Sequence, residues 1–330
     1  MSSFLTRHQK PILWTLLVVF IAYGFYFWDA VRTTSILNFS LSYALPLILA
    51  AMVGIIGERT GVVNIGIEGQ MLLSAFVAFF AAVATGSLVI GAFLGMAAGL
   101  LAGAFLGMAA VKWEMDQIIA GVVINIVAAG ITSFYYTPGK SLPSIVSRVE
   151  IPLLSDIPLI GQVFFNKSVF VYFTIIVVVF LQIMLFTSKW GLRSRAVGEY
   201  PSAADTAGIN VYRTRILNVA LAGILAGAAG AYLSLDAAGW FERGFTAGRG
   251  FLALAIMIFG AWNPLGAMAA ALFFGFASGM ASQLQADELI NIPQQFINML
   301  PYVMTLVVLS FSAGKVRPPG AVGQPYKKEG

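Results

Sequence analysis

Ten apolar runs follow one another through the chain, near residues 12–28, 36–56, 61–85, 88–111, 116–136, 168–187, 214–235, 249–262, 264–284 and 292–312. An α-helix needs about 20 mostly apolar residues to cross a bilayer, and most of these runs reach or approach that length. Hydrocarbon offers the backbone no hydrogen-bond partner, so each run must satisfy its own N–H and C=O groups as a helix. The sequence therefore predicts an all-α polytopic membrane protein of about ten transmembrane helices, one membrane domain over 1–330. Only 10% of residues are charged, where soluble proteins carry about 25%. The net charge of +5 is spread over loops, so no nucleic-acid surface is expected. The first run follows Arg7 and Lys10 as a secretory signal would, but its length and aromatic end predict a retained anchor.

Two runs depart from a plain span. The run at 249–262 is short and ends at Asn263-Pro264, a helix-breaking dipeptide. It either crosses alone or folds back with 264–284 as a re-entrant hairpin, giving eight spans plus the hairpin. The run at 61–85 begins inside GERTGVVNIGIEG, residues 57–69, which sets Glu58, Arg59, Asn64 and Glu68 between two apolar segments. Ionisable groups at membrane depth are costly and normally face a cavity or a partner. Four interleaved glycines let the backbone unwind there. This stretch reads as a broken helix beside a translocation path. A weaker echo at 242–250 suggests an inverted repeat, with spans two to five matching seven to ten in reverse direction.

With the N-terminus inside, Arg7, Lys10, Arg59, Lys112, Lys189, Arg193, Arg195, Arg213, Arg215, Lys315, Arg317, Lys327 and Lys328 all fall on the cytoplasmic face. Basic residues concentrate on that face in membrane proteins, so both termini are expected inside, with 314–330 as a cytoplasmic tail. Residues 137–167, with four prolines, form an external loop that reads as a lid, a docking surface or a connector. Gly91, Gly95, Gly99, Gly103 and Gly107 recur every four residues and predict a helix-packing seam.

Chemistry is nearly absent. There is no cysteine, and the one histidine, His8, lies in the N-terminal tail, so neither a metal site nor a catalytic group is expected. Gly139-Lys140-Ser141 imitates the end of a phosphate-binding loop, but Phe134 stands where the motif needs its first glycine. The cytoplasmic stretch 189–215, with its loop at 188–213, is more informative. Pro201 can open a short helix and Gly208 can end it, giving a small surface helix shaped for a groove on a cytoplasmic partner.

Three segments carry a resemblance: GERTGVVNIGIEGQM (57–71), RAVGEYPSAADTAGINVYR (195–213) and TAGRGFLALAIMIFGAWNPLGAMAAALFFG (246–275). Over about residues 41–284 the chain resembles permease subunits of bacterial nucleoside ABC importers, within the branched-chain amino acid and simple-sugar permease superfamily. The resemblance implies an inner-membrane transport subunit that is not an enzyme and holds no cofactor. ATP would be bound by separate ABC ATPase subunits. A second permease subunit, of a different chain, and an extracytoplasmic substrate-binding lipoprotein or protein would complete the assembly. It also implies that Gly198, Glu199, Ala204, Asp205 and Gly208 belong to the loop that couples to the ATPase.

The substrate-pathway candidates come from the residues themselves. Asn64, Glu68, Gln70, Gln117, Asn125 and Asn218 are polar groups in or at the ends of spans, able to donate and accept. Phe76, Phe79, Trp240 and Phe241 can stack on a base. Each has a plainer reading. Asn125 and Asn218 can hydrogen-bond between helices, Trp240 and Phe241 can form an interfacial belt, and Glu58 can pair with Arg59. Glu68 stands out as functional, either touching substrate or bracing the broken helix. Sugar or amino-acid import by the same machinery, or ion-coupled secondary transport, are the alternatives.

Overall fold

The computed structural model describes residues 20–286 and 317–328, with residues 299 and 303 isolated between them. The expected span at 292–312, the start of that at 12–28 and the ends of the tail at 314–330 lie outside the described residues.

Seven helices among the described residues are long and apolar enough to cross a membrane. After a first helical segment, α1 (residues 20–28), come α2 (Ala30–Arg59), α3 (Ile67–Thr85), α4 (Leu88–Val111) and α5 (Gln117–Phe134). The stretch between α5 and the next long helix carries strand β1 (Arg148–Glu150), helix α6 (Ile160–Phe164) and strand β2 (Asn166–Ser168), with β1 and β2 paired antiparallel. Then follow α7 (Val169–Thr187), α8 (Lys189–Glu199), α9 (Pro201–Thr206), α10 (Val211–Ala231), α11 (Arg249–Phe259) and α12 (Pro264–Ala286). The protein is a multi-pass, all-α membrane protein, as the apolar runs predict.

Helix limits follow local chemistry. Asp29, Asp116, Ser188 and Asn210 cap α2, α5, α8 and α10 with side-chain oxygens, satisfying amides that a first turn leaves open. Pro201 opens α9, and Gly208, at φ +79°, follows its end. A π-helical segment, Tyr232–Ala238, prolongs α10 and completes its crossing.

The run expected at 249–262 is not a full span. α11 has 11 residues, about 16 Å at the usual rise. An irregular segment, 239–248, leads into its start.

The glycine seam packs as its spacing predicts. A Cβ on Gly91 would lie 2.6 Å from the Ala78 carbonyl of α3, and one on Gly103 2.7 Å from the Val219 carbonyl of α10. Gly99 is the tightest point: a Cβ there would sit 2.2 Å from the Gly223 carbonyl, and the reverse substitution meets the Gly99 carbonyl at the same distance. The backbones of α4 and α10 touch. α12 meets α2 in the same manner, through Gly275 and Gly279 against Ser40 and Ala44. These two contacts exchange if α2 is matched with α10 and α4 with α12, and the matched helices run in opposite directions.

The loops sort to two ends. At one, the turn after α2, the α4–α5 link, α8, α9 and residues 317–328 lie together, carrying Arg59, Arg195, Arg215 and Lys327. At the other, residues 137–168 lie against 239–248: Ser141 bridges Trp240, and the Leu142 N–H donates to the Gly239 carbonyl.

Candidate functional site

The break between α2 and α3 is held from outside. Asn125 accepts the Gly69 N–H at 2.7 Å and donates to the Ile65 carbonyl at 3.1 Å. Gln117, on the same helix, accepts the Val63 N–H at 2.7 Å. The buried Arg215 donates Nε to the Thr60 carbonyl at 3.1 Å. Within the break, Asn64 donates to Gln70 at 3.2 Å, both buried. Unwound backbone survives away from water when neighbours satisfy it in this way.

Glu68 works on a different helix. Its Oε1 accepts the Thr246 hydroxyl at 2.6 Å and the Gly248 N–H at 2.8 Å, and its Oε2 accepts the Gly250 N–H at 2.6 Å. Gly248 is the N-cap of α11, and Gly250 lies in its first turn. A helix start carries unsatisfied amides and a partial positive charge, which a carboxylate answers on both counts. Glu68 thus caps α11 in trans. A Cβ on Gly250 would come within 2.5 Å of the Glu68 Cα, so glycine is what admits this approach.

The other end of α11 is fixed too. It stops in a turn where Ala261 and Trp262 have φ of +55° and +52°. Glu58 accepts the Trp262 indole N–H at 2.6 Å. Arg59 donates to the Trp262 carbonyl at 3.0 Å and the Ala261 carbonyl at 3.4 Å. The Glu58–Arg59 pair that the sequence allows is not formed: Glu58 takes the Trp262 indole N–H, while Arg59 turns to the carbonyls at α11's end, which need donors.

Arg59 also meets the surface helices. A Cβ on Gly198 of α8 would lie 2.3 Å from the Arg59 carbonyl. Asn218 of α10 ties α8 down by accepting the Trp190 indole N–H at 2.9 Å and donating to Ser194 at 2.8 Å. Gly198 and Ala204 are buried, Asp205 is partly exposed, and Glu199 and Gly208 are exposed. The outward face of this element is Tyr200, Ser202, Ala203, Thr206 and Ala207. Contacts therefore run without a gap from α8 through Arg59 and α11 to Glu68 and residues 246–250.

Gly244, Phe245, Ala247 and Arg249, interleaved with the residues that Glu68 holds, form part of the wall of a cavity of about 910 Å³ at the opposite end. Its lining brings together Ser42 and Tyr43 of α2, Ser144 to Arg148, Lys167, Ser168, Asp236, Trp240, Phe245 and Arg249. Asp236, in the π-helical segment, accepts the Ser168 hydroxyl, and Lys167 donates to Asn38. Burial pushes the Lys167 ammonium down to about 8, with Arg148 adding to the fall and Asp236 opposing it. Trp240 meets Phe245 edge-on at 5.4 Å. Aromatic faces with a few convergent polar groups are the usual makeup of a small-molecule site.

Of the pathway residues expected from sequence, Trp240 lines this cavity. Phe76, Phe79 and Phe241 stand behind it in an aromatic cluster, Phe76 and Phe241 5.4 Å apart. Phe241 is buried rather than interfacial. Asn64, Gln70, Gln117 and Asn125 secure the break, and Asn218 secures α8. Asp236, Lys167, Ser168 and Arg148 were missed. Their only sequence signal is charge or polarity at the margins of apolar runs.

Residues 36–309 match the family described as branched-chain amino acid transport system / permease component. The guanosine ABC transporter permease protein NupQ of Bacillus subtilis is 39% identical over 320 residues, covering 91% of this chain and 99% of the relative. The nucleoside ABC transporter permease protein NupC of Lactococcus lactis is 38% identical over 301 residues, covering 87% and 95%. Each organism also holds a second, more distant match at 24% identity: the guanosine permease NupP, over 84% of this chain and 83% of the relative, and the nucleoside permease NupB, over 82% and 77%.

Proposed function

The chain belongs to the branched-chain amino acid transport system / permease component family, and from that premise we propose that it is the membrane-spanning permease subunit of an ABC importer for nucleosides. The similarity to NupQ and NupC supports the substrate class. The pairs NupP with NupQ and NupB with NupC support a second, different permease chain beside this one. ATPase subunits would bind and hydrolyse ATP, and an extracytoplasmic binding protein would deliver substrate. The chain needs no cofactor and performs no chemical step.

The observation that carries the mechanism is a half-length helix fixed at both ends. α11 is held by Glu58 and Arg59 where the chain meets α8, and by Glu68 where it meets the cavity wall. Docked ATPases press on the outward face of α9. The displacement passes from Gly198 to Arg59, along α11, and moves residues 244–249, which border the cavity. ATP binding then changes access at the far end because the two states differ in contacts along this line. In the cavity, Trp240 and Phe245 face the base, while Asp236, Ser168 and Lys167 supply polar partners for the sugar. The basic end faces the cytoplasm, with both termini inside the bacterial cytoplasmic membrane.

Uptake of labelled guanosine and adenosine by cells with and without the gene tests this reading, with unlabelled ribose and leucine as competitors. Loss of uptake on deletion, competed only by nucleosides, is the expected result. Unchanged nucleoside uptake with loss of ribose or leucine uptake would overturn the substrate class and leave the architecture standing.

A further inference from the structure

The described part of the C-terminal tail, residues 317–328, is bound to the coupling helices. The Ala321 N–H donates to the Gly198 carbonyl at 2.8 Å, and the Gly320 N–H donates to the Glu199 carboxylate at 3.1 Å. The Gly323 N–H reaches the Gly61 carbonyl at 3.2 Å. Tyr326 packs against the small cluster of Val197, Ala204 and Val211 that seats α9. Lys328 pairs with Asp205 at 3.7 Å and Lys327 with Glu114 at 2.8 Å. Ala321 is 3% exposed. The deepest attachment is Arg215, 2% exposed, whose Nη1 donates to the Gln324 carbonyl at 2.9 Å while Nε holds the Thr60 carbonyl. A buried guanidinium needs its partners, so the tail helps solvate the charge that ties the break to α10.

Only part of this strap faces inward. Gly320, Gln324, Lys327 and Lys328 are exposed beside the exposed Glu199, Tyr200 and Thr206. The surface so made has a small knob, Tyr200 with Ala203 and Ala207, bordered by the strap's lysines.

We propose that residues 317–328 are a structural half of the ATPase-docking surface, laid across α8 and α9 so that the partner engages helix and strap together. The partner this fits is the ATPase subunit, with a groove that takes the α9 knob and the exposed edge of the strap beside it; Lys327 and Lys328 are already paired with Glu114 and Asp205. The inference rests on the reading of α8–α9 as the coupling element. Tight seating through backbone bonds favours a fixed platform over a competitor that leaves when the ATPase arrives, since no exposed loop of the strap is needed to fill a partner's groove.

The chain has no cysteine, so pairs introduced by mutation can be cross-linked cleanly. In the complete complex, Tyr212→Cys with Tyr326→Cys, whose rings lie 5.6 Å apart and do not face the partner, joined by a short bismaleimide, fixes the strap in place. Co-purified ATPase and ATP-driven uptake are then expected within about twofold of the uncross-linked double variant, because docking uses the strap where it lies. Deleting 317–330 is expected to lower co-purified ATPase at least about fivefold. Gln324→Trp, whose side chain is exposed while its backbone carbonyl keeps the Arg215 bond, should lower it about threefold or more without loss of the folded permease, which keeps the question open to test should the deletion fail to accumulate. Loss of ATPase association on cross-linking would overturn the platform in favour of a displaced strap. Unchanged association after both tail changes would overturn any docking role for it. Ala203→Trp, on the outward face of α9, checks the underlying reading separately. If it leaves ATPase association intact, the coupling assignment itself fails whatever the strap variants do.

Discussion

The Glu68 carboxylate of α3 lies 2.8 Å from the Gly248 amide and 2.6 Å from the Gly250 amide of α11. An acid in one helix is the cap of another, 180 residues later in the chain. Glu68→Gln replaces an accepting oxygen by an N–H₂ group, which in either orientation of the amide confronts a backbone N–H donor, that of Gly248 or that of Gly250. Leaving a buried donor unsatisfied costs about 1–3 kcal/mol. Thermal unfolding of the detergent-solubilised protein should register a loss of that size. Uptake should fall further than the amount of ATPase bound, because the contact braces the segment next to the cavity wall and lies away from α8 and α9.

Gly99→Leu and Gly223→Leu should prevent accumulation of the protein in membranes, since the first added carbon already meets backbone at 2.2 Å. Gly130→Leu, on an open face of α5 with nothing within 4 Å, should accumulate normally. Immunoblots of membrane fractions compare the three. Equal levels for all would mean that α4 and α10 do not pack as described.

Trp240→Ala should lower the maximum rate of nucleoside uptake by roughly fivefold to a hundredfold, since stacking of a base on an aromatic side chain contributes about 1–3 kcal/mol. KM, set by the binding protein that delivers substrate, should change little. A maximum rate unchanged by this substitution and by Asp236→Asn would move the substrate away from the cavity.

Lys167 supplies a pH dependence. Its ammonium titrates near 8 in the folded protein and near its ordinary 10.5 when unfolded. Between those values the unfolded chain binds more protons than the native one, so stability from this group rises as pH increases from about 8 toward 10.5. Below 8 both states are protonated and its contribution is flat. Melting temperatures of wild type and Lys167→Met measured across pH 7 to 10 should diverge in slope above about 8, with the variant lacking the rise.

Much of this was legible because it depends on short-range periodicity. Five glycines at a spacing of four can only line one helix face, and the seam followed. The break at 57–69 was legible because charge and glycine interrupt an apolar run. The role of Glu68 was not: whether it faces substrate or a helix start depends on where residues 246–250 arrive, and no local pattern fixes a contact across such a separation. The cavity was hidden for the same reason. Ser42, Arg148, Lys167 and Asp236 come from four separate segments, and each alone reads as an ordinary residue at a membrane boundary. Asp236 also depends on a π-helical stretch, which turns its side chain by a different angle per residue than the α-helix that the apolar run suggests.

The contact of Gly99 with Gly223 restricts how the molecule moves. Packed helices slide past one another by small adjustments of interlocking side chains. Here two main chains abut at Gly99 and Gly223 with no side chain between them, so at this point there is nothing to readjust and the turning of α4 is coupled to that of α10. Whatever angle changes during a transport cycle is then taken up at the non-helical joints, 60–66 and 239–248. Those are the segments that Glu68, Gln117, Asn125 and Arg215 grip, so these four side chains set how stiff the pivots are.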